Sequence, residues 1–191
     1  AFSINAILLM LYEAIKILAQ LMELGVRHGD IKAQNLTCDE NKCLKIIDFG
    51  NAEIKPKAHT PSGSPPYMAR ATHKGNTDHP SDDVEGILWT AAALMVPSGA
   101  KLPWFHEKKH MKLLSEKEEF VANLSKKILP ANMAGLKEHV AVFRDLFAAY
   151  DQLQTSPDRE AYQNMREIIA NAWEKFKLVP KIEEAKLGDL L

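Results

Sequence analysis

The hydrophobic residues at the start of the chain recur at the spacing of one amphipathic helix. Between Ile4 and Leu24 they stand three or four positions apart, and Gly25 follows, the residue type that commonly ends a helix. We therefore predict a helix over residues 4–24. Its longest unbroken apolar run, Ala6–Tyr12, is far shorter than a membrane span. The pattern is typical of a core helix.

After Gly25 the pattern changes to short elements and loops. Cys43–Ile47 predicts a short strand that follows a turn at Asp39–Lys42. Residues 55–80 carry five prolines and two glycines, which predicts a loop and no helix. Helical periodicity then returns, interrupted at Pro97–Gly99. It predicts four further helices, over Val84–Val96, Lys108–Leu129, Ala134–Gln154 and Asp158–Phe176.

Composition and charge narrow the class of protein. The 191 residues include 24 Lys and Arg against 25 Asp and Glu, and 46% are hydrophobic, which is typical of one globular domain. The near-zero net charge predicts no general attraction to polyanions, so we expect neither nucleic acid nor a membrane as partner. Cys38 and Cys43 make up neither a disulfide framework nor a four-ligand zinc site. We therefore expect an intracellular protein, nuclear or cytoplasmic.

A group of polar residues follows the first helix and can carry chemistry. Asp30, Lys32 and Asn35 lie close together in sequence, and Asp48 stands just after the predicted strand. A hairpin would bring Asp48 beside Asn35. Carboxylate and amide oxygens suit Mg²⁺, and phosphoryl transfer needs a metal, a group that orients the attacking hydroxyl and a cation on the transferred phosphate. These four residues can fill all three roles.

The residues His28–Asn35, followed by Asp48-Phe49-Gly50, resemble the catalytic loop and metal-binding motif of protein kinases. Gly29 stands where most kinases have Arg, and His-Gly-Asp-Ile-Lys-Ala is most similar to the vaccinia-related kinases, close relatives of casein kinase one. The resemblance implies a mainly α-helical kinase C-terminal lobe with a small β-hairpin, with residues 1–191 as one domain. It also implies a serine/threonine protein kinase that uses ATP and Mg²⁺ on a protein substrate.

The resemblance further implies roles for individual residues. Asp30 and Lys32 would be the catalytic residues: Asp30 would orient the substrate hydroxyl, and Lys32 would contact the γ-phosphate. Asn35 and Asp48 would bind Mg²⁺, so that Lys32, Asn35 and Asp48 together would hold the nucleotide. Ser64 would bridge Asp30 and Lys32 on the substrate side.

Other positions would support the catalytic loop. Asp83 would accept backbone N–H groups from the loop, with His28 packed beneath it. Gly63–Tyr67 resembles the end of an activation segment. Because Gly29 leaves no cation beside the loop, we expect this segment to be ordered without phosphorylation. Arg70 stands where many kinases have Ala-Pro-Glu, so the sequence does not predict how the segment docks.

The parts of a kinase that clamp the nucleotide are missing from the sequence. No two of the nine glycines are separated by a single residue, so a G-x-G-x-x-G loop is absent, as is an upstream strand with an ATP-pairing Lys. In the family both belong to the N-terminal lobe, which we expect to be supplied in cis or in trans. Two functions stay open: a serine/threonine kinase as part of a complete domain, and a pseudokinase or lobe-only scaffold that binds proteins without catalysis.

The stretch His106–His110 matches H-E-x-x-H, in which two His on one helical turn bind zinc. The intervening Lys108 and Lys109 indicate a solvated helix start, so a metalloprotease is a distant alternative. Lys112 and Lys117 continue this basic stretch, interleaved with glutamates. We interpret them as part of a solvated face.

Overall fold

The computed structural model describes residues 2–55, 63–75, 79–96, 101–126, 129, 137, 139–176 and 180–191. Within these ranges six helices enclose the core, and four short strands form two antiparallel pairs. The helices are α1 (Ile4–Glu23), α2 (Arg70–His73), α3 (Asp82–Met95), α4 (His110–Ser125), α5 (Val140–Leu153) and α6 (Arg159–Lys175). The strands are β1 (Val26–Arg27), β2 (Leu36–Cys38), β3 (Leu44–Ile46) and β4 (Glu53–Ile54). The predicted mainly helical class is confirmed.

Helix α1 forms as its sequence predicts. The side chain of Ser3 caps it by accepting the N–H of Ala6 at 3.3 Å, and Gly25 ends it in a left-handed conformation, with φ +68°. The helix packs against α6 and α3. Among the described helices, α1 is long and apolar enough to cross a membrane, but half of that stretch is buried inside the fold. Burial of this kind is typical of a core helix.

The hairpin β2–β3 connects the loop around Asp30 to Asp48. Leu36 pairs with Ile46 and Cys38 with Leu44, so the predicted strand is present but limited to Leu44–Ile46. The turn is closed by Asp39, whose carboxylate accepts the N–H groups of Asn41 at 2.9 Å and Cys43 at 3.0 Å. Both cysteine thiols are free.

Helix α3 lies in the core. Trp89 at its centre contacts the rings of Trp104, with centroids 5.1 Å apart, and Phe147, at 4.6 Å. Helices α5 and α6 pack together, with Phe143 and Ile169 fully buried. This helical core supports the loops that carry the polar residues.

Several helix boundaries differ from the predictions. Helix α3 begins two residues early, at Asp82, and α4 is shorter at both ends than residues 108–129. Helix α5 begins at Val140. The predicted start at Ala134 and the break at residues 97–99 lie outside the described residues. Helix α6 agrees within one residue at each end, because Asp158 caps it by accepting the N–H of Ala161 at 2.8 Å.

The prediction of no helix between residues 55 and 80 is wrong in one place. Arg70–His73 forms the single turn α2, since no proline falls inside it and the N–H of Arg70 is accepted by the buried carboxylate of Glu85 at 2.7 Å. Residues 56–62 and 76–78 lie outside the described part of this segment.

Candidate functional site

The loop that carries Asp30 is anchored to the start of α3. The buried carboxylate of Asp83 accepts the backbone N–H of His28 at 2.6 Å and that of Gly29 at 2.9 Å. The ring of His28 lies beneath the loop, with Nε2 at 3.0 Å from the carbonyl oxygen of Ile47. These contacts fix the backbone of the loop immediately before Asp30.

Two glycines allow three backbone segments to approach one another closely. Gly63 has φ +102°, and a Cβ there would lie 2.3 Å from the carbonyl oxygen of Gly29. Gly29 has φ +81°, and its Cβ would lie 2.9 Å from the carbonyl oxygen of Asn51. Both positions exclude side chains, so Gly29 has a steric role in addition to leaving out a charge. The sequence alone did not indicate this role.

The structure brings Asp30, Lys32 and Ser64 into contact. The ammonium of Lys32 donates to Oδ2 of Asp30 at 2.5 Å and to Oγ of Ser64 at 3.0 Å. The backbone N–H of Ser64 donates to Oδ1 of Asp30 at 2.8 Å. Both carboxylate oxygens of Asp30 therefore have partners, and their positions are fixed.

The surroundings of Asp30 favour its ionised form. Burial opposes ionisation, but hydrogen bonds from Lys32 and Ser64 together with the charge of Lys32 outweigh burial and lower the pKa of Asp30. An ionised carboxylate accepts hydrogen bonds only. At this position it can accept one from a hydroxyl that approaches past Ser64.

The hairpin places Asp48 next to Asn35, as its position after β3 predicts. The backbone N–H of Ile47 donates to the carbonyl of Asn35 at 2.9 Å, and the side chain of Asn35 donates to the carbonyl of Asp30 at 2.8 Å. Asp48 is exposed and has a left-handed backbone, with φ 65°. Its side chain accepts the N–H of Gly50 at 3.3 Å.

These groups fit a magnesium ion that is shared with a phosphate. Among the described residues, no group of three or more His, Cys, Asp or Glu could hold a metal. Mg²⁺ usually takes only one or two protein oxygens and completes its shell with water and substrate phosphates. The carboxylate of Asp48 and the amide oxygen of Asn35 match that requirement.

The segment after Ser64 is docked on the helical core, which the sequence did not predict. The indole N–H of Trp104 donates to the carbonyl of Pro66 at 3.1 Å. The guanidinium of Arg70 pairs with Glu85, which is fully buried, and with Asp151 at 2.6 Å. Arg70 therefore docks this segment on the helices, a contact that the sequence did not predict.

The interpretation of Lys117 as a solvated residue is wrong. Lys117 is 0% exposed, and its ammonium contacts the carbonyl oxygens of Pro65 at 3.2 Å and Met68 at 2.6 Å. The spacing of hydrophobic residues could have predicted this burial. Lys117 stands four residues after Leu113 and three before Phe120, so all three lie on the same buried face of the helix. The surrounding charges of the sequence obscured that periodicity.

Two histidines continue from Lys117 towards the surface. Nε2 of His73 lies 3.1 Å from the ammonium of Lys117, and its Nδ1 lies 3.0 Å from Nδ1 of His110. Burial, followed by the charge of Lys117, lowers the pKa of His73 to about 3. His73 is therefore neutral at physiological pH.

This low pKa predicts that His73 contributes a loss of stability in acid. Between the ordinary pKa of 6.5 and the folded-state pKa of about 3, the unfolded chain binds a proton at His73 that the folded chain does not. The contribution of His73 to stability therefore falls as the pH falls through this window, by about 1 kcal/mol per pH unit. Asp82 acts in the opposite direction, because burial raises its pKa from 3.8 to about 7, so a comparison of the wild type with a His73 variant is needed to isolate the slope of His73.

Urea unfolding from about pH 7 to pH 4 measures this slope. We expect the stability of His73→Gln relative to the wild type to rise by about 1 kcal/mol per pH unit as the pH falls, while His106→Gln, at an exposed position, keeps the wild-type slope. Equal slopes for the wild type and His73→Gln would contradict the assignment.

The H-E-x-x-H stretch does not form a two-histidine helical turn. Helix α4 begins only at His110, so His106 lies before it. The carboxylate of Glu107 accepts the N–H groups of Lys108 and Lys109 at 2.9 Å and pairs with Lys112 at 2.7 Å. These contacts lower the pKa of Glu107 to about 2. Glu107 thus organises the start of the helix.

Comparison with known proteins finds similarity to protein kinases. The family model for the protein kinase domain matches residues 1–173. A human ribosomal protein S6 kinase-related protein is 31% identical over 108 residues, which cover 54% of this chain and 25% of the relative. A probable serine/threonine-protein kinase of fowlpox virus is 29% identical over 150 residues, covering 71% of this chain and 48% of the relative. The serine/threonine-protein kinase CHK1 of Saccharomyces cerevisiae is 34% identical over 91 residues, which cover 44% of this chain and 17% of the relative. The chain spans less than half the length of each of these relatives.

Proposed function

Because this chain belongs to the protein kinase domain family, we propose that it is the C-terminal lobe of a serine/threonine protein kinase. The reaction would transfer the γ-phosphate of ATP to hydroxyl groups of a protein substrate, with Mg²⁺. One observation carries the proposal: both carboxylate oxygens of Asp30 are held by Lys32 and Ser64, at 2.5 Å and 2.8 Å. The finer likeness to the vaccinia-related and casein kinase one group rests on the sequence His28–Ala33.

In this proposal the residues act by positioning and charge. Asp30 accepts the hydrogen bond of the substrate hydroxyl and so aims its oxygen at the phosphate. Lys32, whose ammonium contacts Asp30, would contact the transferred phosphate. Asn35 and Asp48 would hold Mg²⁺, which neutralises phosphate charge when it is bound. Ser64 keeps Asp30 and Lys32 in register on the substrate side.

We also propose that a second lobe covers the nucleotide. The large apolar side chains of Ile47 and Phe49 flank Asp48 and are 44% and 46% exposed. Apolar surface of this kind beside a polar site is typical of an interface. An N-terminal lobe in cis or in trans would cover it and supply the G-x-G-x-x-G loop that the 191 residues lack. We call this assembly the two-lobed kinase, and we propose that it is intracellular.

A pseudokinase or lobe-only scaffold that binds proteins without catalysis is the alternative. Incubation of the two-lobed kinase with γ-labelled ATP, Mg²⁺ and casein separates the two functions. We expect label on Ser and Thr of the casein. Label confined to Tyr would reject the proposed specificity, and no label despite bound nucleotide would favour the scaffold.

A further inference from the structure

Lys117 is a buried cation that the proposed reaction does not use. It lies on α4 and is 0% exposed, although a lysine is rarely buried unless its charge is matched. Its ammonium lies 5.3 Å from the centre of the Trp89 ring. Burial lowers the pKa of Lys117 to about 7, although the negative charge of Glu85 opposes this shift, and the charge of Arg70 adds to it. Because burying a lysine costs free energy, we look for a specific role of Lys117 in the contacts that it makes.

The donors of Lys117 match the acceptors around it. A lysine ammonium has three N–H groups. Three acceptors lie within reach: the carbonyl of Met68 at 2.6 Å, Nε2 of His73 at 3.1 Å and the carbonyl of Pro65 at 3.2 Å. Two of these three belong to the backbone immediately after Ser64. Among the described residues, Lys117 therefore binds a backbone turn and forms no ion pair with an acidic side chain.

That turn, Ser64–Met68, is the segment that presents Ser64 to Asp30. The N–H groups of Tyr67 and Met68 donate to the carbonyl of Ser64 at 2.9 Å and 3.2 Å, which closes the turn from within. Lys117 binds the carbonyls of Pro65 and Met68, and the indole of Trp104 binds that of Pro66. The N–H of Ser64 then reaches Asp30 at 2.8 Å. A shift of the turn would move Ser64 away from Asp30.

The contact with Lys117 also fixes the protonation of the histidines. Below its pKa of about 7, Lys117 is an ammonium that can only donate, so Nε2 of His73 accepts and the proton of the neutral ring is on Nδ1. That N–H then donates to Nδ1 of His110, which must be unprotonated at that atom. The order of donors thus runs from Lys117 through His73 to His110. The tautomer of His73 can therefore be measured by spectroscopy.

We propose that Lys117 is a positioning residue for the protein substrate. Through the carbonyls of Pro65 and Met68 it holds the Ser64–Met68 turn against Asp30, and the turn forms the surface on which the peptide around the target hydroxyl binds. This inference rests on the proposed kinase function. Lys117 touches neither substrate nor nucleotide and acts through the turn.

Steady-state kinetics of the two-lobed kinase tests this role. Lys117→Met keeps the apolar stem but removes the lysine donor from the buried carbonyl of Met68 and from the carbonyl of Pro65, and we expect the KM for casein to rise about tenfold. The KM for ATP stays unchanged. Lys112→Met is the matched control, because Lys112 lies on the same helix, is 61% exposed and pairs only at the surface. We expect wild-type values for it.

Nuclear magnetic resonance on the 191-residue chain gives a readout that is independent of catalysis. In the wild type and in Lys112→Met we expect His73 as the Nδ1–H tautomer and slow hydrogen exchange at the amide of Ser64. In Lys117→Met we expect the tautomer to change and the Ser64 amide to exchange about tenfold faster, with helical content retained.

Two results would overturn the inference. One is an equal KM for casein in the wild type and in Lys117→Met; the other is equal exchange of the Ser64 amide in both. If the two-lobed wild type transfers no phosphate, the proposed function fails, and the exchange measurement still decides whether Lys117 positions the turn.

Discussion

Asp30→Asn lowers the kcat of the two-lobed kinase by about 10²-fold to 10⁴-fold, which is the range expected when a group that handles the reacting proton is lost. The amide keeps the shape and one acceptor oxygen but loses the charge. Its NH₂ group also faces a donor in either orientation, because Lys32 lies 2.5 Å from Oδ2 and the N–H of Ser64 donates to Oδ1 at 2.8 Å. The KM for ATP should change far less, because Asp30 orients the hydroxyl. Initial rates at saturating ATP and casein measure the effect.

Asp189→Asn is the control for this substitution. Asp189 lies at the surface, half exposed, and forms an ion pair with Lys42. We expect its kcat to equal that of the wild type. If Asp30→Asn retained more than about a tenth of the wild-type kcat, Asp30 would not be the residue that orients the hydroxyl.

The largest effect on stability is expected from Arg70→Met. This change leaves the carboxylate of Glu85, which is 0% exposed, without its cation, and it removes the link to Asp151. Breaking a buried ion pair from one side typically costs about 3–5 kcal/mol. The variant should therefore lose a large part of its free energy of unfolding. Urea unfolding at neutral pH measures the loss.

Lys74→Met provides the comparison, one residue beyond the end of α2. Lys74 pairs with Glu118 at 2.8 Å, but both side chains are about half exposed, at 51% and 46%. Surface pairs contribute about 0–1 kcal/mol. Should Arg70→Met cost no more than Lys74→Met, the buried pair would not be what docks this segment.

The polar loop and the first helix could be predicted from the sequence because their information is local. The spacing of α1 and the terminal Gly25 define one helix, and a strand followed by Asp48 places that residue beside Asn35. The contacts of Ser64 with Asp30 and Lys32 follow the family resemblance. The proposed role of each of these residues stays a prediction.

The docking of the activation segment could not be predicted because it depends on residues far apart in sequence. Arg70 meets Asp151 across 81 positions, and Lys117 meets Pro65 across 52. A buried Lys among surface-type charges looks solvated until the fold gives it carbonyl acceptors. From the sequence, Gly29 indicated only the absence of a positive charge. The structure shows that the backbone of Asn51 leaves no room for a side chain there.

Binding of ATP to the two-lobed kinase, with and without Mg²⁺, tests the central claim most directly. At a hundred times its Kd the nucleotide should stabilise the protein by about 2.7 kcal/mol in a thermal unfolding experiment. The account predicts this stabilisation for the wild type and for Asp189→Ala, only when Mg²⁺ is present, and its loss in Asp48→Ala. Stabilisation that is equal in Asp48→Ala, or absent from the wild type, would contradict a phosphoryl-transfer site at Asp30, Asn35 and Asp48.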